Sequence, residues 1–143
     1  MIKVEKRLPF GFLGLWSKLY KRYDFDQEEE FNSEIVEYNK TNYVALTMPI
    51  QIKKIEEVEK SKQRLLADLT TIGDNLIVKT TDCYYNKQEQ DYQCIVNVDD
   101  LLQFENNWWL VGKILERNIY TPRKQSFYYI QLKKVTKENI CVK

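Results

Sequence analysis

Cys83, Cys94 and Cys141 are the strongest nucleophiles in this chain, and it has no histidine to serve them as a base. The commonest general base and the commonest transition-metal ligand are therefore both missing. A Cys83 nucleophile would need an unusual base such as a lysine, and no motif places one beside it. Three cysteines without CxxC spacing and without histidine cannot supply a four-ligand zinc site. The four glycines, Gly11, Gly14, Gly73 and Gly112, form no phosphate-cradling loop. Asp99 and Asp100 are adjacent carboxylates on a turn, a spacing that does not converge on one substrate atom. Asp24, Asp26, Glu28, Glu29 and Glu30 offer oxygen donors for a hard cation, but the run lacks the central glycine and alternation of a calcium loop. It reads as a solvated acidic loop. The expectation is a protein that is not an enzyme, with no cofactor and no metal.

What remains is recognition chemistry. The chain carries ten tyrosines and three tryptophans, side chains with a large apolar body and a polar tip. Trp108 and Trp109 stand side by side in Asn106–Leu115. Successive side chains on a strand point to opposite faces, so one tryptophan should enter a core and the other face outward. Strict alternation puts Trp109, Val111 and Leu115 on one face and Trp108, Leu110, Gly112 and Ile114 on the other. With Tyr84, Tyr85 and Tyr120, Trp108 would make a flat aromatic surface for another protein or an extended peptide. A second reading is a small bacterial or phage inhibitor of immunity type. In it the acidic run Asp24 to Glu30 would imitate phosphate toward a nuclease or toxin. A third is single-stranded nucleic-acid binding through Lys133, Lys134, Lys137 and Lys143 beside Tyr128 and Tyr129. Lys+Arg is 22 against Asp+Glu 21, a formal net charge of +1, and that balance argues against a broad polyanion surface.

The elements that must position these residues change character along the chain. Phe12, Leu13, Trp16, Leu19, Tyr20 and Tyr23 recur at helical spacing, so the pattern predicts an amphipathic helix over residues 12–23. Its stripe would pack on the protein, dock in a partner's groove, or lie on a membrane with Lys18, Lys21 and Arg22 toward headgroups. Ile35 to Tyr38 and Tyr43 to Thr47 predict a hairpin across Asn39-Lys40-Thr41-Asn42. Thr47 and Pro49 are helix-start signals, and Ile52, Ile55, Val58, Leu65, Leu66 and Leu69 predict a second helix over 49–71, stopped at Gly73. From Asn75 the period becomes two. Strands are expected at Leu76–Thr81, Tyr92–Val98, Leu101–Glu105, Trp108–Glu116 and Ser126–Lys134, with Ile140–Val142 as a sixth. Asn106-Asn107 is the expected tight turn. The fold class is then α+β: two amphipathic helices packed on a small antiparallel β-barrel or strongly bent sheet. Residues 1–74 would form the helical and hairpin part and 75–143 the barrel, in one compact unit.

Asp99-Asp100-Leu101-Leu102-Gln103-Phe104-Glu105, then Trp108-Trp109, Gly112-Lys113 and Tyr120-Thr121-Pro122, resembles a Src-homology-3 domain. The variant of calcium-channel β subunits and membrane-associated guanylate kinases looks nearest, and the likeness covers the C-terminal half. It implies that Trp108 is the groove tryptophan, Pro122 a groove wall, and Tyr84 or Tyr85 the aromatic at the end of the first strand. The turn before Trp108 is shorter than the family's, one extra residue precedes Gly112, and Gln125 stands where a tyrosine is usual. No run of about 18 apolar residues suggests a membrane span. The mixed charges of residues 1–7 do not make a signal peptide. Three thiols without a disulfide pattern point to a reducing, cytoplasmic setting.

Overall fold

The computed structural model describes residues 3–5, 7–22, 34–55, 75–118 and 126–143. Among them there is no α-helix. After a 3-10 turn at Gly11–Leu13 come strands β1 (Leu15–Arg22), β2 (Ile35–Tyr38), β3 (Thr41–Ala45), β4 (Ile50–Lys54) and β5 (Asn75–Thr80). They are followed by β6 (Cys83–Asn86), β7 (Asp91–Cys94), β8 (Leu101–Phe104), β9 (Asn107–Asn118), β10 (Ser126–Val135) and β11 (Ile140–Val142).

Six strands close on themselves in the order β1-β4-β5-β10-β9-β8 and back to β1, all antiparallel. Closure removes the edges that an open sheet of this size would expose. The barrel is filled by side chains from every stave. Leu19, Ile50, Ile52, Val78, Leu102, Phe104, Val111, Ile130 and Leu132 are all buried there, with Trp109 and Ile114 packed against them.

β3 and β4 run on from each other along one side of β1. The pairing passes from Tyr20↔Ala45 to Ser17↔Ile50, and the Leu46 N–H donates to Leu19 O between them. β3 then carries β2 and β11 as an extension of the sheet. A second core gathers residues of the extension, Val36, Tyr43 and Ala45, with Tyr20, Leu101, Trp108 and Val135. These last four alternate with barrel-filling positions on their strands, so the extension covers part of the barrel's outer face.

Two helices predicted from spacing are therefore corrected. Residues 15–22 are strand β1, not part of a helix over 12–23. The pattern misleads because the far half of β1 is buried on both faces. Leu19 fills the barrel while Tyr20 lies under the extension. Adjacent apolar residues then mimic a helical stripe, and inward Ser17 and Lys21 hide the period of two. The helix expected over 49–71 begins as strand β4. Pro49 sits just before a strand rather than in a first helical turn, a position where its missing N–H costs no ladder bond. Ile50 and Ile52 point into the barrel and Gln51 points out. Residues 56–74 lie outside the described residues. β1 and β4, both from the first 74 residues, are staves of the barrel.

The strands expected from the period of two match β5, β8, β9, β10 and β11 closely. β7 is shorter than the predicted Tyr92–Val98. The tight turn of the β8–β9 hairpin is Glu105-Asn106 rather than Asn106-Asn107. Both residues have positive φ, 51° and 63°, and Phe104 pairs with Asn107. That is the twist-matched two-residue hairpin turn. The β2–β3 turn, Asn39-Lys40, repeats it at 51° and 61°.

Candidate functional site

Strand β9 does place its two tryptophans on opposite faces. Trp109 packs toward the barrel interior, its ring stacked on Phe104 at 5.6 Å between centroids. Trp108 points away from the barrel, as alternation requires. The extension covers it, however, and it is only 4% exposed, with its ring 4.9 Å from Tyr20. It is a core residue rather than the groove residue that the Src-homology-3 likeness implies. The alternation also breaks once. Ile114 pairs with Ile130 but Val111 pairs with Leu132, so β9 carries one extra residue around Gly112. A bulge of this kind reverses the faces beyond it. Ile114 therefore joins Val111 inside the barrel, while Leu115 packs outside with Ile55, Ile77 and Tyr129.

The other expected contact residues scatter. Tyr84 packs against the barrel core, and its hydroxyl lies 3.2 Å from Gln93 Oε1. Tyr85 is 40% exposed and meets Tyr92 edge-on across the β6–β7 hairpin. Tyr120 and Pro122 lie outside the described residues, as does the acidic run Asp24 to Glu30. The basic–aromatic edge lacks its stacking platform, since Tyr128 and Tyr129 are both buried and Lys143 pairs with Glu37 at 2.6 Å.

The structure instead exposes Trp16, which the helical reading placed in a packed stripe. Its residue is 58% exposed, an unusual position for the side chain with the largest apolar surface. It lines a groove of about 480 Å³ with Ser17 and Lys18 of β1. The opposite wall is the β3–β4 connection, Leu46, Thr47 and Pro49, and the floor and end come from Gln103 and Phe104 of β8 and the Glu105-Asn106 turn. Exposed Met48 lies in the connection that forms the opposite wall, and Phe12 and Leu13 are exposed on the 3-10 turn that precedes β1. The two charged residues that line it are both paired, Lys18 with Glu34 and Glu105 with Lys54. Ser17 Oγ donates to Gln103 O at 3.3 Å, and the Tyr20 hydroxyl reaches Gln103 Oε1 at 3.3 Å, which fixes the floor.

An N-terminal arm holds Trp16 in place. The Arg7 guanidinium lies 5.1 Å from the centroid of the Trp16 ring, a cation–π contact. Arg7 is itself clamped on Asp82, with Nε 2.8 Å from Oδ1 and Nη2 3.0 Å from Oδ2. Leu8 exchanges two hydrogen bonds with the Thr81 hydroxyl. The Gln51 side chain accepts from Phe10 N–H and donates to Gly11 O, tying the arm over the strand residue that pairs with Trp16. Gly14 permits the approach, because a Cβ there would stand 2.5 Å from Gln51 Nε2.

Asp82 also accepts the Gln51 N–H at 2.9 Å. Burial pushes its carboxyl above the usual aspartate range, more than Arg7 and the N–H pull it down. A carboxyl raised in the folded state is protonated there more readily than in the unfolded chain. Its contribution is thus greatest below about pH 4 and is lost as pH rises through the raised value. Thermal unfolding of wild type and Asp82→Asn between about pH 4 and 7 measures this, and the wild type should lose ground to the variant as pH rises. The opposite slope would mean that the Arg7 clamp outweighs burial.

No sequence signal short of placing Trp16 on a strand could have found this site. Among the described residues no cluster of acidic and thiol side chains could hold a metal ion, and no helix is long and apolar enough to cross a membrane. Compared with known proteins, the chain matches no family model, no curated protein and no solved structure.

Proposed function

We propose that this protein is a non-enzymatic binding module that takes an extended segment of another protein in the Trp16 groove. The observation that carries the reading is an exposed tryptophan held rigid beside a groove. Arg7 packs on its ring, Gln51 ties down the arm beside it, and exposed Met48 stands in the connection that forms the facing wall. A preordered aromatic anchor gains contact area at little further entropic cost, which is how grooves that bind extended peptides work. The paired rim charges leave no excess of positive charge for a polyanion. The reading places the protein in the cytoplasm, where the glutathione pool sets the state of its thiols.

Selection of displayed random peptides on the wild-type protein, followed by titration of the enriched peptides, tests the proposal. Trp16→Ala should weaken them by at least about tenfold. Its unfolding free energy should fall by less than about 1 kcal/mol, because the ring is mostly exposed. Binding that is indifferent to Trp16 and lost on Tyr85→Ala would defeat the proposal and move the site to the β6–β7 hairpin.

A further inference from the structure

Cys83 and Cys94 face each other directly across the β6–β7 hairpin. The Ile95 N–H donates to Asp82 O at 3.2 Å, one residue outside the pair on each strand. That bond makes Cys83↔Cys94 a non-hydrogen-bonded pair, the kind whose Cα atoms stand closest, about 4.5 Å apart, with both side chains on one face. This separation falls inside the range a disulfide spans without moving the backbone, about 4.4–6.8 Å. Both residues carry thiols. The Cys83 sulfur is turned toward Thr81 O at 3.2 Å and the Tyr128 hydroxyl at 3.7 Å, so bridging requires a side-chain rotation rather than a strand shift.

We propose that Cys83 and Cys94 form a thiol–disulfide couple that locks the β6–β7 hairpin when glutathione disulfide oxidises it. The balance is simple. A thiolate of the pair attacks one sulfur of glutathione disulfide and releases one glutathione. The second thiolate of the pair then attacks the mixed disulfide, forming the Sγ–Sγ bond and releasing the other glutathione. The two electrons leave with the two glutathione molecules, which also take up the two thiol protons. Burial pushes the Cys94 thiol up to about 12, so the couple responds slowly at neutral pH and faster in alkaline buffer. Cys141 is exposed and lies on the far extension. It takes a glutathione cap, but the residue opposed to it is Glu37, not a cysteine.

The test uses the full chain with Cys141→Ser, equilibrated in mixtures of glutathione and glutathione disulfide. Equilibrium is approached from the reduced folded protein and by refolding from denaturant in the same buffer. The expected product loses two hydrogen atoms and carries no glutathione. Trypsin cuts after Lys79, Lys87 and Lys113, so the bridge should join peptide 80–87 to peptide 88–113. The oxidised protein should unfold at a higher temperature than the reduced one, and adding Cys94→Ser should abolish both results. Thiols or glutathione adducts alone after refolding in the most oxidising mixture would overturn the proposal, since slow access to buried sulfur is then no obstacle.

Discussion

Trp108→Ala should destabilise the protein by about 3–5 kcal/mol, more than Trp109→Ala. The ring is nearly fully buried and is the common neighbour of two layers. On one side are Tyr20, Leu101 and Val135 of the barrel wall, and on the other Val36, Tyr43 and Ala45 of the extension. Truncation would leave a cavity that neither layer can fill without moving the other, the circumstance in which large-to-small changes cost most. The extension should loosen first, because β11 is held by three residue pairs with β2. Trp109 is only partly buried, and its indole N–H is buried with no hydrogen-bond partner among the described residues. Removing it therefore gives back some of a desolvation cost. Urea unfolding of both variants decides the order. A larger loss for Trp109→Ala would mean that the second core adds little.

The second large effect concerns a buried ion pair. Lys21 points into the end of the barrel, where its Nζ lies 2.6 Å from Asp100 Oδ2 and donates to Ile95 O at 2.9 Å. Asp100 is 2% exposed and also accepts the Asn97 N–H at 2.7 Å. Burial raises the Asp100 carboxyl, and Lys21 and the Asn97 N–H only partly offset this. Removing one member strands the other without water, so Asp100→Leu or Lys21→Met should each cost about 3–5 kcal/mol. The double replacement Lys21→Met with Asp100→Leu should cost clearly less than the sum, because neither charge is then left buried alone. A double-mutant cycle by urea denaturation reads the coupling. Additive losses would show that water already reaches both groups. The pair sits where β1 meets the Asn97–Asp100 turn, so it also fixes the start of β8.

Local pattern decided a good deal. The hairpins at Asn39-Lys40 and before Trp108 were legible because asparagine tolerates positive φ between β-rich runs. The later strands were legible as short β-rich runs bounded by polar turns, although neighbours such as Ile77 and Val78, or Leu101 and Leu102, are buried on both faces. The opposite orientation of Trp108 and Trp109 followed from strand geometry alone. Absent histidine and the cysteine spacing likewise excluded a Cys/His zinc site without any fold.

Three things were decided only by tertiary structure. β1 is covered on both faces along half its length, so its apolar residues follow no single period and imitate a helix. One extra residue at Gly112 exchanges the faces of β9, and such a bulge depends on the pairing with β10 rather than on β9 itself. Exposure was the third, for Trp16 and Trp108 both point away from the barrel. The extension β3-β2-β11 folds over Trp108 and makes it core, while the N-terminal arm only supports Trp16 from one side and leaves it open. Alternation tells a side chain which way to face, but what lies opposite is set by segments far away in the chain.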